Sequence, residues 1–382
     1  MVRGYERQAR QVPGGDATVA RCTGWNGVAP AGYSSRVPRP HVLLVATAAC
    51  VALIGIAAPR AQAPRPFLER LLTGTLGFTW SQLAALRRGD AVTTTLPGSV
   101  DRELVMAGAI RIQAPLERTV DIVRDVERFE SGARFLARKR LSEPPRLDDF
   151  HPFRLTPDDV AALRRCRPGR CDIKLDHEAF PAVAAIDWTG ADVAERANLL
   201  LRRRALEYVE AYRHRGRNAA FVYHDRQRPV VAAHEFTDMV TRSPALGTLA
   251  RDLMDVLLHY PGGPPPNADE IFYWSVSDIG LKPVFRVHHV VIRRLAPAAD
   301  LRYVMATRLL HADHYFNTGL EVGALIDDPA AGGAHVLVTL SLARLDGITG
   351  LLGRVARIKV RAASRDALAT AMRATRDRAE GR

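Results

Sequence analysis

The residues with the greatest chemical reach fall late in the chain: His311-Ala-Asp-His314, followed by Tyr315, and the adjacent pair His288-His289. H-x-x-H can chelate a metal when both rings converge, and a histidine beside Asp313 can work as an acid–base pair. Both stretches alternate like strands, however. In a strand, neighbours at i+1 and at i+3 point to opposite faces. Neither pair then chelates unless the chain bends at Asp313 or His289 meets His311 across strands. No matching nucleophile accompanies them: Ser341 and Ser364 stand in no G-x-S-x-G context, and no P-loop, G-x-G-x-x-G or H-E-x-x-H occurs. The pattern assigns no catalytic residue, no metal and no cofactor. His289 better fits a polar tip in an apolar setting, able to read a ligand hydroxyl or carbonyl.

Cys166 and Cys171 flank Arg-Pro-Gly-Arg, and Pro168-Gly169 is a turn signal. The two sulfurs can meet across that turn, and an oxidising compartment would join them; two free thiols in a cytoplasmic protein are the alternative. Zinc lacks ligands, because His177 alone cannot complete a set of four. Export has a second indication. Arg36 and Arg39 precede 17 uncharged residues, Val42 to Ala58, and then Ala61-Gln-Ala63. A charged lead, an apolar run and a small-residue site describe a secretory signal within residues 1–63. An uncleaved helical anchor is the alternative, and a start near Val37 would give the lead an ordinary length. Location is therefore expected to be periplasmic or extracellular. The remaining cysteines, Cys22 and Cys50, fall in this leader.

The elements that must position the histidines follow from apolar periodicity. Of 382 residues, 47% are apolar and 25% charged, enough to build a core. The net charge of +13 is mostly arginine spread along the chain. It admits an anionic membrane surface as partner, and no nucleic-acid motif accompanies it. Residues 64–90 read as helical. Within 91–130, strands over 91–96 and 102–113 precede a helix over 116–129, with Pro115 where a missing N–H costs nothing. Residues 131–267 read as a helical insertion, containing a capped start at Thr156-Pro-Asp-Asp159 and a long helix over 191–215. In residues 268–382, strands over 271–276, 283–293, 302–310, 318–326 and 335–345 lead to a helix over 346–378. The total is seven strands.

Period two assigns faces. Phe285, Val287, His289 and Val291 share one; Tyr303, Met305 and Leu309 share another; Val336, Val338, Leu340 and Leu342 share a third. The last helix is expected to lay Leu351, Leu352, Val355 and Ile358 on an apolar concave face, and its arginines outward.

The stretch from Ile110 to Phe129 resembles the opening of START-like proteins, the helix-grip superfamily that includes polyketide cyclases. A strand ends in a small residue and Pro; the following helix carries an acid, Asp125, and an aromatic, Phe129. The strands closing on a long helix fit the same plan. The resemblance implies an α+β fold: a curved antiparallel seven-stranded sheet gripping the C-terminal helix, with the helical insertion added. It also implies a cavity for a hydrophobic small molecule or lipid, lined by Met106, Trp274, Phe285, His289, Tyr303, Met305, His311, His314 and Tyr315. A carrier is the first expectation. A cyclase- or hydrolase-like enzyme using His289, His311 or His314, and a partner-binding protein working through its insertion, are the alternatives.

Overall fold

The computed structural model describes residues 66–129, 134–263, 265–296, 300–328, 331–346 and 350–382, with backbone alone at 129 and 350–360. The signal-like segment and the side chains of Leu351, Leu352, Val355 and Ile358 lie outside the described residues. Helix α1 (Phe67–Glu69) runs into a π turn over Arg70–Thr75. Helix α2 (Trp80–Arg87) begins at a capping box between Thr79 and Gln82. Strands β1 (Val92–Leu96) and β2 (Glu103–Ile112) follow, then helices α3 (Leu116–Arg124) and α4 (Val126–Phe129) and strand β3 (Phe135–Arg140).

The next segment holds helices α5 (Pro157–Arg165), α6 (Ala179–Ala184) and α7 (Val193–Arg215), and a small ribbon of β4 (Val222–Tyr223) and β5 (Val230–Val231). Helices α8 (Ala232–Thr241), α9 (Pro244–Leu249) and α10 (Arg251–His259) complete it. Thr156 caps α5 as expected, its hydroxyl accepting from the Asp159 N–H at 3.1 Å. Cys166 and Cys171 are joined in a disulfide across the Pro168-Gly169 turn. Strands β6 (Ala268–Ser277), β7 (Val284–Arg294), β8 (Leu301–Ala312), β9 (Phe316–Asp327) and β10 (His335–Leu345) then lead to helix α11 (Gly350–Glu380).

The main sheet has eight strands, not seven, in the order β1-β2-β10-β9-β8-β7-β6-β3, and every pair is antiparallel. The extra strand is β3, which pairs with β6. Its sequence, Phe-Leu-Ala-Arg-Lys-Arg, hides it. An edge strand that is half-exposed and cationic shows little apolar alternation, and the charges discourage pairing with another chain.

The two faces of the sheet are covered differently. On one, Val105, Ala107 and Ala109 join Leu320, Val322, Ala324, Val336, Val338, Leu340 and Leu342 against α8–α10 and the N-terminal helices. The same face continues through Phe272, Trp274, Phe285 and Val287 under Tyr208, Val209 and Tyr212 of α7. Full burial of each large apolar side chain there contributes about 1.5–3 kcal/mol.

On the other face, Ile110, Val290, Tyr303, Met305, Leu325 and Leu337 pack with Val120 and Val123 of α3 and with Met372 of α11. The expectation that the apolar stripe Val336–Leu342 lies under the last helix is therefore corrected. Those residues do share one face, but that face is covered by the insertion. Gly108 explains how closely α11 approaches: a Cβ at that position would stand 2.5 Å from Met372 Sδ. Further along α11, Met372 is buried, whereas Ala363 and Ala371 are exposed.

Candidate functional site

The α11-bearing face holds a row of side chains laid across four strands. Register places Met106, Ser341, Glu321 and Thr307 side by side on β2, β10, β9 and β8. The adjoining row runs Leu104, Ala343, Gly319, Leu309, His288 and Tyr273. Glu321 is exposed although β9 is an inner strand, and Thr307, Leu309, Ser341 and Ala343 are half-buried. Their neighbours pointing the other way, Leu320, Val322, Leu340 and Leu342, are at most 2% exposed. One face is thus filled, and the middle of the other is accessible. Its floor mixes apolar carbon with hydroxyl and carboxylate groups, and Gly319 leaves it low.

At the β6–β7 end of this face, Ser275 lies opposite Arg286 and Tyr273 opposite His288. Tyr273 and His288 stack with ring centres 4.5 Å apart. Burial, and after it the Arg286 charge, holds His288 well below the usual histidine range, so the ring is neutral.

The expected site residues divide between environments. Met106, Tyr303 and Met305 lie on the α11 face. Trp274, Phe285, His289 and His311 lie on the opposite face, under the insertion. His289 contacts the Tyr212 hydroxyl through Nδ1 at 3.1 Å and Glu270 through Nε2 at 2.9 Å. It also stacks on Phe272. Burial lowers its pKa against the opposing pull of Glu270. Arg308 beside it donates to the Leu257 carbonyl at 2.8 Å and covers the Phe236 ring. His311 stacks on Phe221, and its pKa is pushed down to about 3 by burial and then by the Lys174 and His314 charges. Trp274 donates to the Asp149 carbonyl at 2.8 Å, between Phe150 and Phe153. These groups form a packed joint with their polar atoms largely met. No stretch of sequence near His289 signals it, because Tyr212 comes from a helix 77 positions away.

His314 and Tyr315 sit where β8 turns into β9. His314 Nδ1 donates to the Asp172 carbonyl at 2.9 Å, while Nε2 stands 3.3 Å from Asp159 Oδ1, within ion-pair range but off the line of a hydrogen bond. Lys282 Nζ also reaches Asp159, at 3.3 Å, and the Tyr315 hydroxyl accepts from the Lys282 N–H. Asp313 is buried, its Oδ1 accepting from the Phe285 N–H at 2.9 Å. Burial pushes the Asp313 carboxyl up to about 7, against the attraction of His314. Burial also opposes protonation of His314, but Asp159 and Asp313 outweigh it and the net shift is upward. Burial raises Asp159 too, yet His314 and the Thr156 hydroxyl win and hold it at about 2.

The signs give a stability profile. Between its ordinary value and about 7, folded Asp313 keeps a proton that the unfolded chain has lost, so stability falls as pH rises through that window. The His314 contribution, complete below its unfolded value, is likewise lost as pH rises through its higher folded value. The Asp159 contribution is complete above its unfolded value and is lost as pH falls towards about 2. Asp313→Asn keeps the acceptor for Phe285 and removes the titration. Urea unfolding at pH 5 and pH 8 should show wild type losing about 3 kcal/mol more than the variant across the interval. Equal losses would refute this assignment.

No family model matches this sequence, and no curated protein matches it. Among the described residues, no helix is long and apolar enough to cross a membrane.

Proposed function

We propose that the chain is an exported START-like protein that carries a hydrophobic small molecule or lipid on the α11 face of its sheet. The accessibility of Glu321, Thr307, Leu309 and Ser341 on inner strands carries this reading. A core-only face would be filled like its opposite. In this reading the sheet curves towards α11 and the ligand completes the packing. Because His289 and His311 lie under the insertion, a carrier is favoured over an enzyme working with them in the same space. The Cys166–Cys171 disulfide is compatible with export. Arg361, Arg365 and Arg373 are exposed along α11 and would suit delivery to an anionic membrane, each contributing about 1 kcal/mol near its surface.

Titration of the purified full chain with N-phenyl-1-naphthylamine, a neutral apolar fluorophore, tests the proposal. Wild type should saturate. Ser341→Trp, which fills the floor, should bind about tenfold more weakly, the equivalent of about 1.4 kcal/mol of lost burial. Failure of wild type to bind, or a Ser341→Trp variant that binds as well, would sink the reading.

A further inference from the structure

We infer that Arg286, His288, Ser275 and Ser277 form a receptor for the carboxylate of an amphipathic monoacid whose apolar body lies along the Met106–Leu309 floor. The inference rests on the ligand-carrying reading above and names the chemistry of its ligand. The four side chains share one face of two paired strands. Ser275 is directly opposite Arg286; His288 is one rung along from this pair on β7, and Ser277 is one rung along from it in the other direction on β6. Side chains directly opposite on antiparallel strands stand about 5 Å apart at Cβ, so one carboxylate can bridge Ser275 and Arg286, with His288 flanking it on one side and Ser277 on the other.

Their hydrogen bonds are missing. Ser275, Ser277 and His288 are 0%, 3% and 5% exposed. Ser275 Oγ, Ser277 Oγ, Arg286 Nε and both His288 nitrogens are buried and meet no partner. Orphaned polar groups are rare in native interiors, and each carries a desolvation penalty. Here five such atoms fall on four neighbouring residues. Arg344, a guanidinium buried at the other side of the sheet, makes the contrast: it meets Glu103, Glu235 and Asp238. No described carboxylate pairs with Arg286.

The donor inventory selects the ligand. A guanidinium N–H, two hydroxyls and one imidazole N–H all donate, and a carboxylate accepts up to four hydrogen bonds. One guanidinium is the only charge in the group, since the buried His288 ring is neutral, so a monoanion balances it. Glu321 lies two strands away on the same face. Leu309, Ala343, Leu104 and Met106 supply the apolar bed, which runs from β8 across to β2.

Competition against the neutral fluorophore, using the full chain, separates the possibilities. Decanoate should bind about tenfold more tightly than decanol. Arg286→Gln should bring the two affinities together while leaving decanol binding unchanged, which also reports that the variant is folded. Ser275→Ala/Ser277→Ala should narrow the same gap and serves as a second route if Arg286→Gln fails to fold. Equal affinities in wild type, an undiminished preference in the variants, or tighter binding of decyl phosphate than of decanoate would overturn the headgroup assignment, with the carrier reading intact. Absence of binding by decanol, decanoate and the fluorophore alike would remove the carrier reading, and this inference with it.

Discussion

Replacing Arg344 by alanine is expected to cost the fold about 3–5 kcal/mol, the cost of breaking a buried ion pair. The side chain is 2% exposed and spans three elements. Nε donates to Glu103 at 3.0 Å, Nη1 to Glu235 at 3.1 Å, and Nη2 to Asp238 at 2.7 Å and to the Ser99 hydroxyl at 3.2 Å. It therefore ties β10 to the start of β2 and to α8. Without it, Glu103 stays 3% exposed with its guanidinium gone. Glu235 keeps Arg102 at 2.6 Å, so the loss concentrates on Glu103. Lysine would not substitute, since a point charge cannot fork to three acceptors. Denaturant titration at neutral pH measures the loss, and Arg344→Ala/Glu103→Gln should recover part of it because no buried charge is then stranded. A single variant within about 1 kcal/mol of wild type would contradict the role given to Arg344.

Gly216→Ala is expected to be at least as damaging, with a loss above about 4 kcal/mol and little soluble protein. The residue has φ 53° and ψ −130°, a conformation that L side chains rarely adopt. A Cβ there would stand 1.7 Å from the Tyr260 carbonyl oxygen, a backbone atom that cannot swing aside. Gly216 ends α7, and Tyr260 ends α10. The clash would part the two helices that place Tyr212 and Tyr260 around His289. Gly247→Ala is the control: it lies in α9 with nothing within 4 Å of the added carbon and an ordinary φ. It should be neutral or gain up to about 1 kcal/mol, from helix propensity alone. Soluble yield and urea midpoints of both variants decide. A Gly216→Ala protein as stable as the control would show that the close approach is relaxed in solution.

Much of the fold was legible along the chain. The five late strands, the Pro115 start of α3, the Thr156 cap and the Cys166–Cys171 turn all follow from local rules: alternation, fixed φ, side-chain capping and chain reversal. Each acts over a few residues, so sequence neighbours suffice to reveal it. The strand β3 escaped because charge replaces alternation at an exposed edge.

The candidate site was legible only in part. Met106, Tyr303 and Met305 were assigned to the α11 side, and they lie there. His289, Phe285 and Trp274 belong to the opposite side. His288 and Arg286, which alternate with that set along β7, face α11's side of the sheet. By itself, the sequence determined the strands, the parity of their side chains and the covalent staple. Only the tertiary structure decided which parity meets which cover. Period two divides a strand into two faces without saying what will bury either. That choice falls to the largest apolar surface within reach, here α7–α10, and it leaves the more polar face to α11.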